Sequence, residues 1–294
     1  MRKLILIVLM IVFTSVAHAE ERLNVVTTLP WIGSLAKELG KDRVSVTTLV
    51  KPSQDPHMLE AKPSMILAAR KADIIMYNGL DLEIGYLPLI FESSKNPSVM
   101  PGRPGNFDCS RFVRVIEKPA TVDRSMGDVH PLGNPHYHFS PENVLKVAEG
   151  MAAALGDLDQ ANADFYRANF EAFAVKLREK QKQWSSQPLS GKRFIAYHRL
   201  FEYLATDFGF RIIGYVESKP GLPPSAAHIE RLMEDMKKSR PDGILTTSLY
   251  GKKEAESLST KTGVRVIVLP NDVGAGKGTA DWFAFMDATL KSLL

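Results

Sequence analysis

Asp159-Gln-Ala-Asn-Ala-Asp-Phe-Tyr-Arg-Ala-Asn-Phe-Glu-Ala-Phe-Ala-Val-Lys-Leu-Arg-Glu-Lys-Gln-Lys-Gln-Trp-Ser-Ser-Gln187 decides the architecture of this chain. These 29 residues contain no Gly and no Pro. Phe165, Tyr166, Phe170, Phe173 and Leu177 recur at near-helical spacing, and most of the remainder is charged or amidic. Globular helices average about 11–12 residues. So long a run reads as one helix joining two lobes, not as a surface helix of a single domain. Short β-branched runs lie on both sides of it. Leu23–Thr28, Val44–Val50, Asp73–Tyr77 and Phe112–Ile116 precede it; Arg193–Tyr197, Phe210–Tyr215, Gly243–Thr247 and Val264–Leu269 follow. Helical patterns alternate with them. In Ser225–Ser239, Ser225 caps the start, and Ile229, Leu232, Met233 and Met236 fall at i, i+3, i+4, i+7. Alternating strands and helices give parallel sheets of βαβ units. The expectation is an α/β chain: an N-terminal α/β lobe over 20–158, a linker helix over 159–187 and a C-terminal α/β lobe over 188–294. Asn96–Phe107 and Lys118–Pro141 read as long loops, which in compact domains tend to be functional.

The residues before position 20 read as a leader. Arg2 and Lys3 precede an apolar run, Leu4 to Val16, and Ala17-His18-Ala19 matches a small-x-small cleavage site. The run is too short for a spanning helix, which needs about 20 residues. No Cys stands near the cleavage point to carry a lipid. The mature chain is therefore expected to be soluble outside the cytoplasm. Its 294 residues, 45% hydrophobic and 24% charged, suit about two domains of 100–150 residues. The 37 Lys and Arg against 33 Asp and Glu give a net charge of +4, and losing Arg2 and Lys3 leaves +2. The remaining basic residues are scattered among acids, so nucleic acid is not an expected partner. The single Cys109 excludes a disulfide framework and a multi-Cys zinc site. A bound metal must be held by His, Asp or Glu.

The histidines fall where open α/β sheets place ligands, beyond the carboxyl ends of strands. His57 follows the strand ending at Val50, His198 follows Tyr197 and opens a helix over Arg199–Phe208, and Asp272 follows Leu269. His130, His136 and His138 occupy the long loop that ends the first half. Three imidazoles and a carboxylate complete a tetrahedral site for a borderline divalent ion. His228, in the first turn of the helix after Ser225, reads as a solvated surface residue.

Several ordered segments resemble the zinc- and manganese-binding solute-binding proteins of ABC transporters. They are Asp55-Pro-His57-Met-Leu-Glu60-Ala-Lys-Pro-Ser64, Asn78-Gly-Leu-Asp-Leu-Glu83, Gly133-Asn-Pro-His136-Tyr-His138-Phe-Ser-Pro141-Glu-Asn143, His198-Arg-Leu-Phe-Glu-Tyr-Leu-Ala-Thr-Asp-Phe-Gly209 and Lys219-Pro-Gly-Leu-Pro-Pro-Ser225. Asp272 falls where that family places a carboxylate ligand. The resemblance spans essentially the whole mature chain. It implies two lobes joined by a rigid helix, with the metal in the cleft between them. It also implies a periplasmic, non-enzymatic, monomeric carrier that passes its ion to a membrane permease, with a metal-donating protein as a further candidate partner. By motif alignment His57, His136, His198 and Asp272 are the ligands. His130, His138 and Glu60 are accessory candidates, and which of the three loop histidines ligates stays open. The chain departs from the pattern in a short loop holding only Asp123, Asp128 and His130, in His138 where an aromatic is usual, and in Ser140 where Asp is usual. Manganese-binding relatives tend to carry a carboxylate at the third position; His198 shifts preference to Zn(II), with manganese or another divalent ion as the alternative.

Two rival chemistries are weaker. A secreted zinc hydrolase would need an open metal position and a base, for which Glu60 or Glu202 would have to serve, and no His-Glu-x-x-His is present. Gly274-Ala-Gly-Lys277-Gly-Thr279 superficially resembles a phosphate loop, but Asn271 stands where its first Gly belongs and Gly278 where Ser or Thr must follow the Lys. The segment reads as a flexible loop beside Asp272. Histidine ligation predicts that metal binding weakens below roughly pH 6.

Overall fold

The computed structural model describes residues 22–121, 130–219 and 221–294. The leader, Asp123, Asp128 and Pro220 lie outside the described residues. The chain forms two four-stranded parallel sheets. The first holds β1 (Leu23–Thr27), β2 (Val44–Thr48), β3 (Ile74–Tyr77) and β4 (Asn106–Asp108) in the order β2-β1-β3-β4. The second holds β5 (Arg193–Ala196), β6 (Arg211–Tyr215), β7 (Gly243–Thr247) and β8 (Val266–Leu269) in the order β6-β5-β7-β8. Each half thus repeats one winding, with its first strand inside, although no sequence repeat betrays it.

The fourth strand is not where the β-branched pattern put it. Asn106–Asp108, which starts within the stretch Asn96–Phe107 read as a loop, pairs with β3 through Ile75–Asn106 to Tyr77–Asp108. Phe112 closes a 3-10 turn, Cys109–Phe112. The amides beyond it go to side chains: Arg114 donates to Asn143 Oδ1 at 2.9 Å and Ile116 to the Tyr203 hydroxyl at 3.2 Å. With donors committed there, Phe112–Ile116 joins no ladder.

Helices α1 (Pro30–Gly40), α2 (Pro63–Arg70) and α3 (Leu87–Ser94) serve the first sheet. Next come α4 (Pro141–Leu158) and α5 (Ala163–Ser185), then α6 (Glu202–Phe208), α7 (Ala226–Ser239), α8 (Lys252–Thr262) and α9 (Trp282–Leu293). The long helix α5 runs 23 residues, and Gln160–Asn162 form a separate 3-10 turn before it. Helix α7 starts as read, with Ser225 Oγ accepting from the His228 amide. Helix α6 starts three residues later than read, because Leu200 turns back to the His198 carbonyl at 2.9 Å.

One main core runs from β1, β3 and α1 through α4 and α5 into α6 and α9. A smaller cluster, including Ile195, Leu232, Met236, Ile244 and Leu258, seals the second sheet against α7 and α8. Helix α9 ties the halves together. Trp282 donates its backbone N–H to Ser34 Oγ in α1 and its indole N–H to the His138 carbonyl. Its ring meets Phe173 and Trp184 of α5. Asp287 on the same helix accepts from Lys180 Nζ at 2.6 Å and from Trp184 Nε1 at 2.7 Å. Among the described residues no helix is long and apolar enough to cross a membrane.

Candidate metal centre

The carboxyl ends of the two sheets face each other, and the loops that leave them meet. His57 sits in the 3-10 turn Pro56–Met58 after β2. Asp55 caps that turn and accepts from both the His57 amide, at 2.9 Å, and His57 Nδ1, at 2.8 Å. With Nδ1–H donated to a carboxylate, the Nε2 lone pair is left for a ligand, as in most metal-binding histidines. His198, in the turn after β5, is oriented the same way: Nδ1 lies 2.6 Å from Glu217 Oε2, with the two side chains only 10% and 9% exposed. His136 precedes the 3-10 turn Tyr137–Phe139, and its amide is fixed by Asn134 Oδ1 at 2.9 Å.

The three rings form a nearly equilateral triangle. Centroid separations are 5.3 Å for His57–His136, 5.5 Å for His136–His198 and 5.8 Å for His57–His198. His130 joins the same cluster, its Nε2 3.1 Å from His57 Nε2 and its ring also bonded to the Leu80 backbone. Ligand atoms of His57, His130 and His136 all lie within 4.8 Å of one another. Tetrahedral zinc, with Zn–N of about 2.0–2.1 Å, needs its donors about 3.3 Å apart.

His136 Nε2 is buried and has no hydrogen-bond partner among protein atoms. Burial, reinforced by the neighbouring histidines, holds its pKa well below the usual imidazole value. Burial pushes His130 down in the same way, to about 3. Both rings stay neutral, the form that ligates.

Asp272 lies at the exit of β8 and is buried. Its carboxylate accepts from the Val273 amide at 2.6 Å and is bonded to the Trp31 backbone, yet burial lifts its pKa to about 8. It shares a cavity of about 30 Å³ with His136, His138 and Tyr250. A space of that size holds one small ion or water. An unpaired imidazole and a carboxyl starved of positive charge therefore border one space.

His138 occupies an aromatic slot, stacked on Trp31 and Phe285 at 6.3 and 5.8 Å, which explains how it stands where an aromatic is usual. Its Nε2 bonds the Asn271 carbonyl at 3.0 Å and so steadies the residue beside Asp272. Ser140 donates to Asp207 Oδ2 at 2.6 Å, so α6 supplies the carboxylate that this motif position lacks. Glu60 is exposed, and the structure places it outside the cluster. The carboxylates that meet the imidazoles are Asp55 and Glu217. Glu202 is turned to Tyr215 and Asn134, away from the base role a hydrolase would ask of it. His228 is not a solvated residue. It is half-buried, and its Nε2 bonds the Tyr215 carbonyl at 2.9 Å. The amides of Gly274 and Gly276 are consumed by the Thr279 carbonyl and hydroxyl, which makes this segment a self-bonded turn and not a phosphate cradle.

Glu217 and Tyr250 did not stand out in the sequence. Both leave a strand at the same sheet edge as His198, Glu217 after β6 and Tyr250 after β7, so the strand-exit rule applied to every strand would have found them.

A family model described as ZnuA, zinc-uptake complex component A, periplasmic, matches residues 25–294. The chain belongs to this family. The iron-binding protein YfeA of Yersinia pestis is 26% identical over 253 residues, covering 83% of this chain and 76% of YfeA. The manganese ABC transporter substrate-binding lipoprotein PsaA of Streptococcus pneumoniae is 24% identical, covering 86% of this chain and 81% of its own. A crystal structure of ZnuA superposes with a TM-score of 0.77 at 24% identity, over 93% of this chain and 98% of that one, and shares its two-lobe fold. The ZnuA family and these relatives thus span zinc, iron and manganese by name. The choice of ion has to be argued from this chain's own donors.

Proposed function

We propose that this chain is a periplasmic carrier that captures Zn(II) between its lobes and delivers it to the membrane permease of an ABC transporter. His57, His136, His198 and Asp272 are the ligands, and His130 stands beside His57 as an alternative or transient donor. The carrying observation is His136 Nε2, buried, neutral and unpartnered at the centre of converging imidazoles. Leaving such an atom without a partner costs about 1–3 kcal/mol, and a cation with vacant coordination positions removes that cost. Three imidazoles favour zinc over the harder manganese ion. The carboxylates behind His57 and His198 fix their tautomers and orient their rings. Membership of a transport family, with Glu60 and Glu202 placed as they are, supports a binding role over hydrolysis.

The test is elemental analysis of the purified mature protein, with thermal unfolding at matched Zn, Mn, Cu, Ni and Fe. Ligand at about 100 times its Kd stabilises by about 2.7 kcal/mol, so zinc is expected to raise the melting temperature most. No stabilisation by any divalent ion would sink the proposal, and a larger shift with manganese would reassign the cargo.

A further inference from the structure

Tyr250 meets histidines of both halves and borders both sides of the centre. Its hydroxyl donates to Asp55 Oδ1 at 2.7 Å and lies 3.1 Å from His57 Nδ1. Its ring stacks on His198, with centroids 5.3 Å apart and planes inclined by 18°. Asp55 and His57 belong to the first half, His198 to the second. Two cavities lie against this residue. The inner one, of about 30 Å³, is lined by His136 and Asp272. The outer one, of about 290 Å³, is more open and lined by His57, His198, Glu217 and Met58. Leu249 and Tyr250 are the residues common to the two linings.

The backbone that presents Tyr250 is fixed on every side. Thr247 Oγ1 accepts from the amides of Leu249 and Tyr250, both at 3.2 Å. Thr246 donates its hydroxyl to the Tyr250 carbonyl. Gly251 follows at φ +61°, where a Cβ would fall 1.8 Å from the Tyr197 ring. Only a glycine lets the chain turn there. The backbone of Tyr250 is therefore held independently of its side chain.

We infer that Tyr250 is the partition between the outer cavity, on which His57 and His198 open, and the inner space of His136 and Asp272, and a positioning residue that acts on His57 through Asp55. The ring controls the passage of the ion, and the hydroxyl holds the Asp55–His57 pair in its ligating orientation. Opening one side chain then exchanges metal without separating the lobes. The inference rests on the cleft being the metal site.

The two parts are separable by stopped-flow exchange of Zn(II) against a chromophoric chelator, on the full mature protein. Tyr250→Phe keeps the ring and loses the hydroxyl, so association stays at the wild-type rate while dissociation rises about 10-fold or more, as for loss of a partner that orients a ligand. Tyr250→Ala opens the partition, so association and dissociation both accelerate by about 10-fold or more, relieved of a conformational step. Because Tyr250→Ala also loses the hydroxyl, its dissociation rises further than its association, and its dissociation constant rises about as much as that of Tyr250→Phe. A merely structural role would raise dissociation alone in both variants. Should Tyr250→Ala not fold by circular dichroism, Leu249→Ala opens the same partition from its other member. Unchanged association in the truncated variant overturns the gate. Wild-type dissociation in Tyr250→Phe overturns the positioning role. A wild-type chain that binds no zinc sinks the metal-capture reading itself, and this inference with it.

Discussion

Asp272 carries the sharpest chemical consequence at the scale of single residues. Its carboxyl is raised to about 8 by burial, so in the metal-free protein it holds a proton at neutral pH. A divalent ion that ligates there must displace that proton. Affinity is then expected to rise roughly tenfold per pH unit up to about pH 8, the usual linkage when one proton leaves on binding. Calorimetry in buffers of different ionisation enthalpy should count about one proton released at pH 7, and Asp272→Asn should remove it. Unchanged proton release in that variant would take Asp272 out of the ligand set and leave the fourth place to His130. His136 and His130, held neutral by burial, do not compete with protons near pH 6. The acid weakening that free histidines predict is therefore not theirs to supply. Reference pKa values pointed to pH 6 as the boundary. The raised carboxyl moves the expected dependence to higher pH, because sequence position alone conveys no burial.

At the scale of elements, α9 and α5 are clasped by Asp287, which satisfies both Lys180 and the buried indole N–H of Trp184. Asp287→Ala leaves that indole unpaired, at a cost of about 1–3 kcal/mol. Denaturant unfolding should show this loss with zinc affinity unchanged, since the clasp lies outside the histidine cluster. The main elements were legible because their patterns are local: the Gly- and Pro-free run around Phe173, the capped helix after Ser225, the apolar runs of β1, β5 and β7. What failed was decided by partners distant in sequence. Phe112–Ile116 has strand residues, but its amides are taken by Asn143 and Tyr203. Asn106–Asp108 looks like a turn and becomes the edge strand because Ile75–Tyr77 needs a partner there. The histidines were legible through strand exits and motif order. Their orienting partners Glu217 and Tyr250 had no such signal beyond their own strand exits. His138 shows the same limit, since its aromatic slot exists only once Trp31 and Phe285 are folded against it.

At the scale of the whole molecule, the buried titrating groups predict how stability responds to pH. Glu83 and Glu202 are each raised by burial to about 7, and Asp272 to about 8. A raised carboxyl stabilises the fold fully below its unfolded pKa, and that contribution is lost as pH rises through the folded value. His130 and His138, lowered by burial to about 3 and 4, act in the opposite sense: their contribution is present above about pH 6.5 and is lost as pH falls towards the folded values. Between about pH 5 and 6.5 the two sets oppose each other. Above that only the carboxyls act, so the melting temperature of the metal-free protein should fall from about pH 6.5 to 8. Zinc, by compensating Asp272, should flatten the decline. A melting temperature that instead rises over this range would show that these carboxyls are not buried in the folded state. Helix α9 has a consequence of another kind. The last twelve residues before the terminus supply Trp282 and Phe285 to a core that otherwise belongs to α1, α5 and the His138 loop. A chain that emerges amino end first cannot complete that core until α9 has been made. Until then Phe173 lacks the Trp282 and Phe283 rings that cover it, and the indole donor that fixes the His138 carbonyl is missing as well.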